Sequence, residues 1–98
     1  MQLNVKFLVI NEEKSGVGRA TGLPWRVMNV VVGWDEPTAD PNYTRQQRLQ
    51  CKLHGDQIDR LRALNPVLHE TLVPVEIGFT TELANNYVRN DVTLWLLQ

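Results

Sequence analysis

The chain has 98 residues, enough for one small hydrophobic core and too few for two, so residues 1–98 are expected to form a single domain. Its apolar fraction of 43% and its charged fraction of 21% exclude a disordered chain. The net charge of −1 excludes a uniformly basic surface and leaves room only for a local basic face.

Composition and the first residues favour the cytoplasm. No apolar run approaches the length of a membrane span, and the opening MQLNVKFLVINEEK lacks the basic region and the cleavage site of a signal peptide. Cys51 is the only cysteine, so the chain forms no internal disulfide and suits a reducing compartment. We therefore expect a cytoplasmic protein that does not enter the membrane.

The first part of the chain predicts two strands separated by a loop. Leu3–Ile10 is rich in β-branched and aromatic residues and predicts a strand. Asn11–Gly22 contains three glycines and predicts a loop. Pro24–Trp34 predicts the second strand, on which Trp25 faces away from the side of Met28 because side chains alternate along a strand.

The middle of the chain predicts a loop, a strand and a helix. Asp35–Thr44 holds two prolines and predicts a long loop. Gln46–His54 alternates strictly between apolar and polar residues, which predicts a strand with one solvent face. That polar face contains Arg48, Gln50, Lys52 and His54. Gly55–Leu64 predicts a short helix, because Ile58, Leu61 and Leu64 recur at helical spacing and Asn65-Pro66 follows.

The end of the chain predicts a hairpin. Leu72–Thr81 predicts a strand with four inward residues, Val73, Val75, Ile77 and Phe79. Leu83–Asn86 predicts a turn, and Tyr87–Leu97 the last strand. Three strands, a helix and two strands match the five-stranded Greek-key barrel of the OB-fold, an all-β fold with one short helix. Another small, partly open barrel or an α+β sheet is the alternative.

The glycine-rich loop and the strand after it have the composition of a surface that binds an unpaired nucleic-acid strand. Three cations, Lys14, Arg19 and Arg26, surround Trp25, and no acidic residue occurs between Lys14 and Trp34. Cations contact phosphates, and an indole offers a face on which any base stacks. The leading hypothesis is therefore that the protein binds single-stranded DNA.

The same loop resembles a loop of the filamentous-phage single-stranded DNA-binding, or helix-destabilising, proteins. The shared features are Ser-Gly-Val at 15–17, the basic Arg19, and Gly22, Pro24 and an aromatic residue at Trp25, where that family usually has Tyr. Together with Gly55–Leu61 and Asn90–Trp95, the loop also resembles small uncharacterised OB-fold proteins of Bacteroides-like bacteria. Both resemblances imply an OB barrel that binds single strands, and the phage resemblance implies that Arg19 and Trp25 contact DNA.

Further candidate contacts come from the strands that an OB-fold uses for binding. Arg48, Gln50 and Lys52 lie on the polar face of the third predicted strand. Tyr87 and Arg89 begin the last one and share a face with Asp91, which would repel phosphate. The complete set of predicted nucleic-acid contacts is Lys14, Arg19, Trp25, Arg26, Arg48, Gln50, Lys52, Tyr87 and Arg89.

The residue pattern does not predict an enzyme. The spacing Gly-x-Gly-x-x-x-Gly is followed by a strand, so it is not a dinucleotide fingerprint. His54 and His69 lack partners at metal-ligand spacing, and no serine or cysteine nucleophile has an evident base. We expect no catalytic residue, no metal and no cofactor.

The apolar pattern predicts a homodimer. Val30, Val31 and Val32, and Leu94–Leu97, place apolar groups on both faces of their strands, more than one barrel core can use. Two alternatives to DNA binding remain. One is a protein-interaction module that uses the same groove or an open strand edge, which the nearly neutral charge favours, and the other is binding of single-stranded RNA.

Overall fold

A computed structural model of the chain describes residues 1–97. It contains six strands and one helix: β1 (Gln2–Ile10), β2 (Lys14–Val17), β3 (Pro24–Pro37), β4 (Thr44–His54), α1 (Asp56–Leu64), β5 (Leu72–Ala84) and β6 (Tyr87–Leu96). The predicted fold class is confirmed, because five of the strands close into an OB-like barrel with one short helix between β4 and β5.

The barrel closes through β1, which pairs with two different strands. Its N-terminal half pairs with β5 from Gln2 to Lys6, and its second half pairs with β3 from Lys6 to Ile10. A bulge between Phe7 and Val9 turns the strand from one partner to the other. Around the barrel the order is β1, β3, β4, β6 and β5, and the β4–β6 contact is the one parallel pairing among residues 1–97.

The core is formed by the inward side chains of all five barrel strands and two helix residues. Val30 and Val32 from β3 meet Leu53 from β4, and Ile58 and Leu61 of α1 cover one end. The remaining buried residues are Val5, Phe7, Met28, Cys51, Val73, Val75, Ile77, Leu94 and Leu96. The apolar face of β4 is therefore inside, and its polar face is outside, as the alternation predicts.

The helix ends where the sequence predicts. Asn65 adopts a left-handed conformation (φ 46°), and its N–H donates to the Leu61 carbonyl, which closes the last turn before Pro66. Gln57 fixes the helix to the barrel, because its side-chain oxygen accepts a 2.8 Å hydrogen bond from the N–H of Leu96. Leu64, predicted with the apolar stripe, is exposed at the far end of the helix.

Three segments predicted as loop or turn are strand. Within the predicted loop 11–22, Lys14–Val17 pairs with Pro24–Val27 as β2, and only residues 18–23 form the connection. β3 and β5 also run further than predicted, to Pro37 and Ala84. Antiparallel pairing with a neighbouring strand extends each of them beyond the barrel, although its local composition is typical of a turn.

Phe79 is predicted to be inward, and it has the predicted side of β5 without being buried. Phe79 lies on the core-facing side of β5, but it is 64% exposed because the β5–β6 hairpin continues past the end of the core. We call the projecting part, residues 79–92, the arm. Its turn contains Asn85 in a left-handed conformation (φ 56°), as expected for asparagine at this position.

Most of the apolar residues on which the homodimer prediction is based are buried inside the single barrel. Val30, Val32, Leu94 and Leu96 are buried in the core. Trp95 alternates outward and is half exposed, so it does not belong to the core. The exposed apolar side chains include a group on the arm: Phe79, Leu83 and Val88.

Candidate nucleic-acid interface

The polar face of β4 forms an exposed row on the outside of the barrel. We call Arg48, Gln50, Lys52 and His54 the basic stripe. Their Cα partners on β3 are Gly33, Val31, Asn29 and Val27, which also point outward. At about 3.4 Å per residue, the stripe extends over roughly 20 Å. The barrel thus carries an elongated polar surface on the strands where OB-folds bind their ligands.

Trp25 and Lys14 continue the surface of the basic stripe beyond His54. Lys14 pairs with Val27, and Val27 pairs with His54, so the three residues form one row across β2, β3 and β4. Trp25 lies on the same outer side and is 46% exposed. The predicted orientation is confirmed, because Trp25 points away from the buried Met28.

The ring of Trp25 is positioned by a glycine on the neighbouring strand. Gly16 is the Cα partner of Trp25, and the ring covers the place where a side chain would stand. The sequence gives no local sign of this contact, because it depends on the β2–β3 pairing that was predicted as loop.

Arg19 lies in the exposed connection between β2 and β3. A hydrogen bond from the Gly18 N–H to the Leu23 carbonyl (2.9 Å) and one from the Gly22 N–H to the Gly18 carbonyl (2.8 Å) close this connection. Gly22 takes the positive φ of 67° that the tight turn needs. Arg19 therefore extends from the end of the β2–β3 hairpin that carries Trp25.

Arg26 is directed away from the other predicted contacts. It alternates to the opposite side of β3 from Trp25, and its guanidinium donates to Glu13 (2.7 and 3.1 Å) and to Asp59 on the helix (2.8 and 2.9 Å). Arg62 also reaches Glu13 at 3.3 Å. The hydrogen bond with Arg26 is the main cause that lowers the pKa of both Glu13 and Asp59. The geometry gives Arg26 a role in joining the helix to β3.

Asp91 lies between two of the predicted phosphate contacts. Its Oδ1 accepts from Lys52 Nζ, and its Oδ2 faces Arg89 Nε, both at 3.2 Å. The pKa of Asp91 is lowered mainly by the hydrogen bond from Lys52, so the carboxylate is charged at neutral pH. Asp91 therefore neutralises part of the positive charge of this surface.

Tyr87 lies apart from the other candidates. It is exposed at the far end of the arm, in register with Ala84 of β5. The structure thus brings together Lys14, Trp25, Gln50, Lys52 and Arg48, and connects Arg89 to them through Asp91. Tyr87 and Arg26 are separated from this group.

Lys6 also lies on the outer surface, although the sequence did not lead us to expect it there. Lys6 and Arg48 are both Cα partners of Gly33, from opposite sides. The available signal was that Lys6 is the only charged residue in the apolar first strand.

Comparison of the chain with protein-family models, with curated proteins and with solved structures gave no match. Within residues 1–97, no helix is long and apolar enough to cross a membrane. In the same range, no three His, Cys, Asp or Glu side chains are grouped closely enough to hold a metal ion.

Proposed function

We propose that this protein binds single-stranded DNA with little sequence preference and without catalysis. The observation that carries the proposal is the outer surface on which Trp25, Lys14 and the basic stripe lie together. An unpaired strand presents phosphates along its backbone and flat base faces beside them. Cations in a row with an exposed indole match both features, and neither contact depends on base identity.

A non-catalytic role agrees with the state of the one thiol. Cys51 is buried in the core, and burial raises the pKa of its thiol to about 11. The protonated thiol is a poor nucleophile at neutral pH. We also retain the cytoplasm as the proposed location, because a chain with one cysteine, buried and free, needs no oxidising compartment.

A titration with oligo-thymidine tests the proposal directly. Binding is followed by tryptophan fluorescence at several salt concentrations, with oligo-uridine measured in parallel. We expect quenching by oligo-thymidine and an affinity that falls steeply as salt rises, because phosphate contacts release counterions. Tighter binding of oligo-uridine would assign the surface to RNA, and the absence of binding at low salt would reject nucleic acid as the ligand.

A matched pair of charge variants locates the binding surface. Arg48→Gln removes one cation from the basic stripe, and Arg60→Gln removes one from α1, where Arg60 is exposed and its Nη1 is 3.5 Å from the Leu96 carbonyl. If the stripe binds the strand, only the first substitution weakens binding, and it does so for all sequences alike. If the two substitutions weaken binding equally, the strand responds to the total charge of the protein and not to a defined surface.

The second candidate function, protein interaction, is favoured by the arm. Its core-facing side continues past the barrel and consists of six uncharged residues: Phe79, Thr81, Leu83, Val88, Asn90 and Val92. Leu83 is 78% exposed, and Phe79 and Val88 are also more than half exposed. Apolar side chains grouped in this way on a small protein mark a contact surface.

We propose that a second copy of the chain covers the arm. A two-fold axis places the same face against itself, so charged residues near the axis would face their own copies and repel. The core-facing side of the arm avoids this repulsion, because the charged residues Glu82, Arg89 and Asp91 alternate to the other side. The homodimer is thus retained as a proposal, with the arm in place of the valine run as its contact.

A further inference from the structure

A cleft begins where the basic stripe ends. β1 leaves β3 after the Lys6–Gly33 pair to join β5, while β3 and β4 continue together to Pro37 and Thr44. The diverging strands enclose a cleft of about 510 Å³. Leu8 lies over Gly33, close to where a β-carbon would stand, and this contact forms part of the cleft lining.

Two cations flank the entrance to this cleft. Lys6 and Arg48 are on the strands to either side of Gly33, so their backbones are two strand spacings apart, roughly 10 Å. Among residues 1–97, no carboxylate lies within 4 Å of either cation in an ion pair. These charges are thus available to an anion, in contrast to Lys52 and Arg26.

The rest of the lining supplies groups that suit a base. Trp34 lines the cleft and packs partly against the core, and its Nε1 donates to Glu36 at 3.2 Å, which fixes the ring. Amide side chains come from Asn4 and Gln46, and from Gln47, whose Nε2 donates to Glu36 at 3.2 Å. Asp35 is the one acidic residue among the lining side chains, and its carboxylate suits an amino or imino group better than a phosphate.

His69 reaches the cleft from the segment that connects α1 to β5. It has a left-handed backbone (φ 68°), and its N–H donates a 2.9 Å hydrogen bond to the carbonyl of Phe7. Histidine is one of the few non-glycine residues that are enriched at positive φ. The contact with β1 keeps His69 at the cleft.

We propose that the cleft holds one nucleotide of a strand that follows the basic stripe. Lys6 and Arg48 contact its phosphate, Trp34 supports its base, and the amides and Asp35 meet the edge of the base. The proposal rests on the proposed function, because Arg48 belongs both to the stripe and to the cleft. At the cleft, the identity of the base affects the affinity, whereas the contacts of the basic stripe do not depend on base identity.

The first test measures the phosphate contact. Lys6→Gln and the control Arg60→Gln each remove one positive charge, and the affinity of both variants for oligo-thymidine is measured over a range of salt concentrations. We expect the plot of log affinity against log salt to become shallower by about 0.7 for Lys6→Gln, the value for one lost contact with a single strand. Circular dichroism verifies that both variants are folded.

The second test observes the base contact. In the double variant Trp25→Phe and Trp95→Phe, Trp34 is the single remaining tryptophan. We expect its fluorescence to change on saturation with the oligonucleotide. If wild-type protein binds the oligonucleotide while Lys6→Gln has the slope of Arg60→Gln and the Trp34 signal is constant, the cleft proposal is wrong and DNA binding stands. If wild-type protein does not bind, both proposals fail.

Discussion

The indole of Trp25 lies across Gly16 of the neighbouring strand, so closely that a β-carbon at Gly16 would stand 2.6 Å from Cζ2 of the ring. Trp95 covers Gly78 on β5 at the same 2.6 Å, but diagonally, because the Cα partner of Trp95 is Glu76. A large ring that covers a glycine on the adjacent strand helps to fix the register of the strand pair. The two tryptophans differ in position, because Trp95 leans toward β5, away from the basic stripe on β4.

This difference gives a matched pair of substitutions. Trp25→Leu is expected to weaken binding of a labelled oligo-thymidine by about 5- to 150-fold, which corresponds to the roughly 1–3 kcal/mol of stacking one base. Trp95→Leu removes the same kind of surface ring and is expected to leave the affinity unchanged. Fluorescence anisotropy of the labelled oligonucleotide measures both. An equal loss in the two variants would indicate that the rings act through stability only.

Asp91 limits the charge of the proposed surface. We expect Asp91→Asn to bind oligo-thymidine more tightly than wild type, because Lys52 and Arg89 lose a competing carboxylate. The dependence of log affinity on log salt becomes steeper, by up to about 1.4 if both cations then contact phosphate. Glu76→Gln, on β5, is the control for the change in net charge. Weaker binding by Asp91→Asn would mean that the carboxylate holds the cations in their binding position.

The contact of Arg26 with Glu13 and Asp59 predicts a pH-dependent contribution to stability. The pKa of both carboxyls is lowered in the folded state, so their contribution is present above the ordinary values of 4.5 and 3.8 and is lost as the pH falls through the lowered values. Arg26→Met is therefore expected to melt at a lower temperature than wild type at pH 7. The difference is expected to be smaller at pH 3, below both ordinary values, because the unfolded carboxyls are then largely protonated and part of this contribution is lost.

Thermal unfolding followed by circular dichroism at both pH values measures this effect. Arg45→Met is the control, because Arg45 is exposed on β4 near the β3–β4 turn. A difference between Arg26→Met and wild type that is the same at pH 3 and pH 7 would contradict an electrostatic origin.

The fold was predictable because its signals are local. The alternation in Gln46–His54 identifies which side of β4 is buried, and the spacing of Ile58 and Leu61 identifies the buried side of the helix. The order of these elements then favours a five-stranded barrel. β2 lacked such a signal, since the four residues Lys14–Val17 are a strand only through pairing with β3.

The partners within the candidate site were not predictable in the same way. Arg26 and Asp59 are 33 residues apart, and Lys52 and Asp91 are 39 apart. Alternation predicts that Trp25 faces away from the side of Met28, but it does not indicate which carboxylate a cation meets. Phe79 is a further example. The alternation along β5 identifies the side on which Phe79 lies, but it does not indicate where the core ends.

The exposed apolar side of the arm leads us to expect a dimer. Phe79 and Leu83 are exposed on its uncharged side, and the proposed dimer buries them against a second copy. The double substitution Phe79→Ser and Leu83→Ser is expected to convert a particle of twice the chain mass into a monomer, with little loss of stability because neither residue is in the barrel core. Light scattering after size-exclusion chromatography measures the mass.

Glu82→Ser, on the opposite side of the same strand, is expected to remain a dimer. A monomeric wild-type protein would refute the dimer, and a double variant that stays dimeric would exclude the arm as its contact.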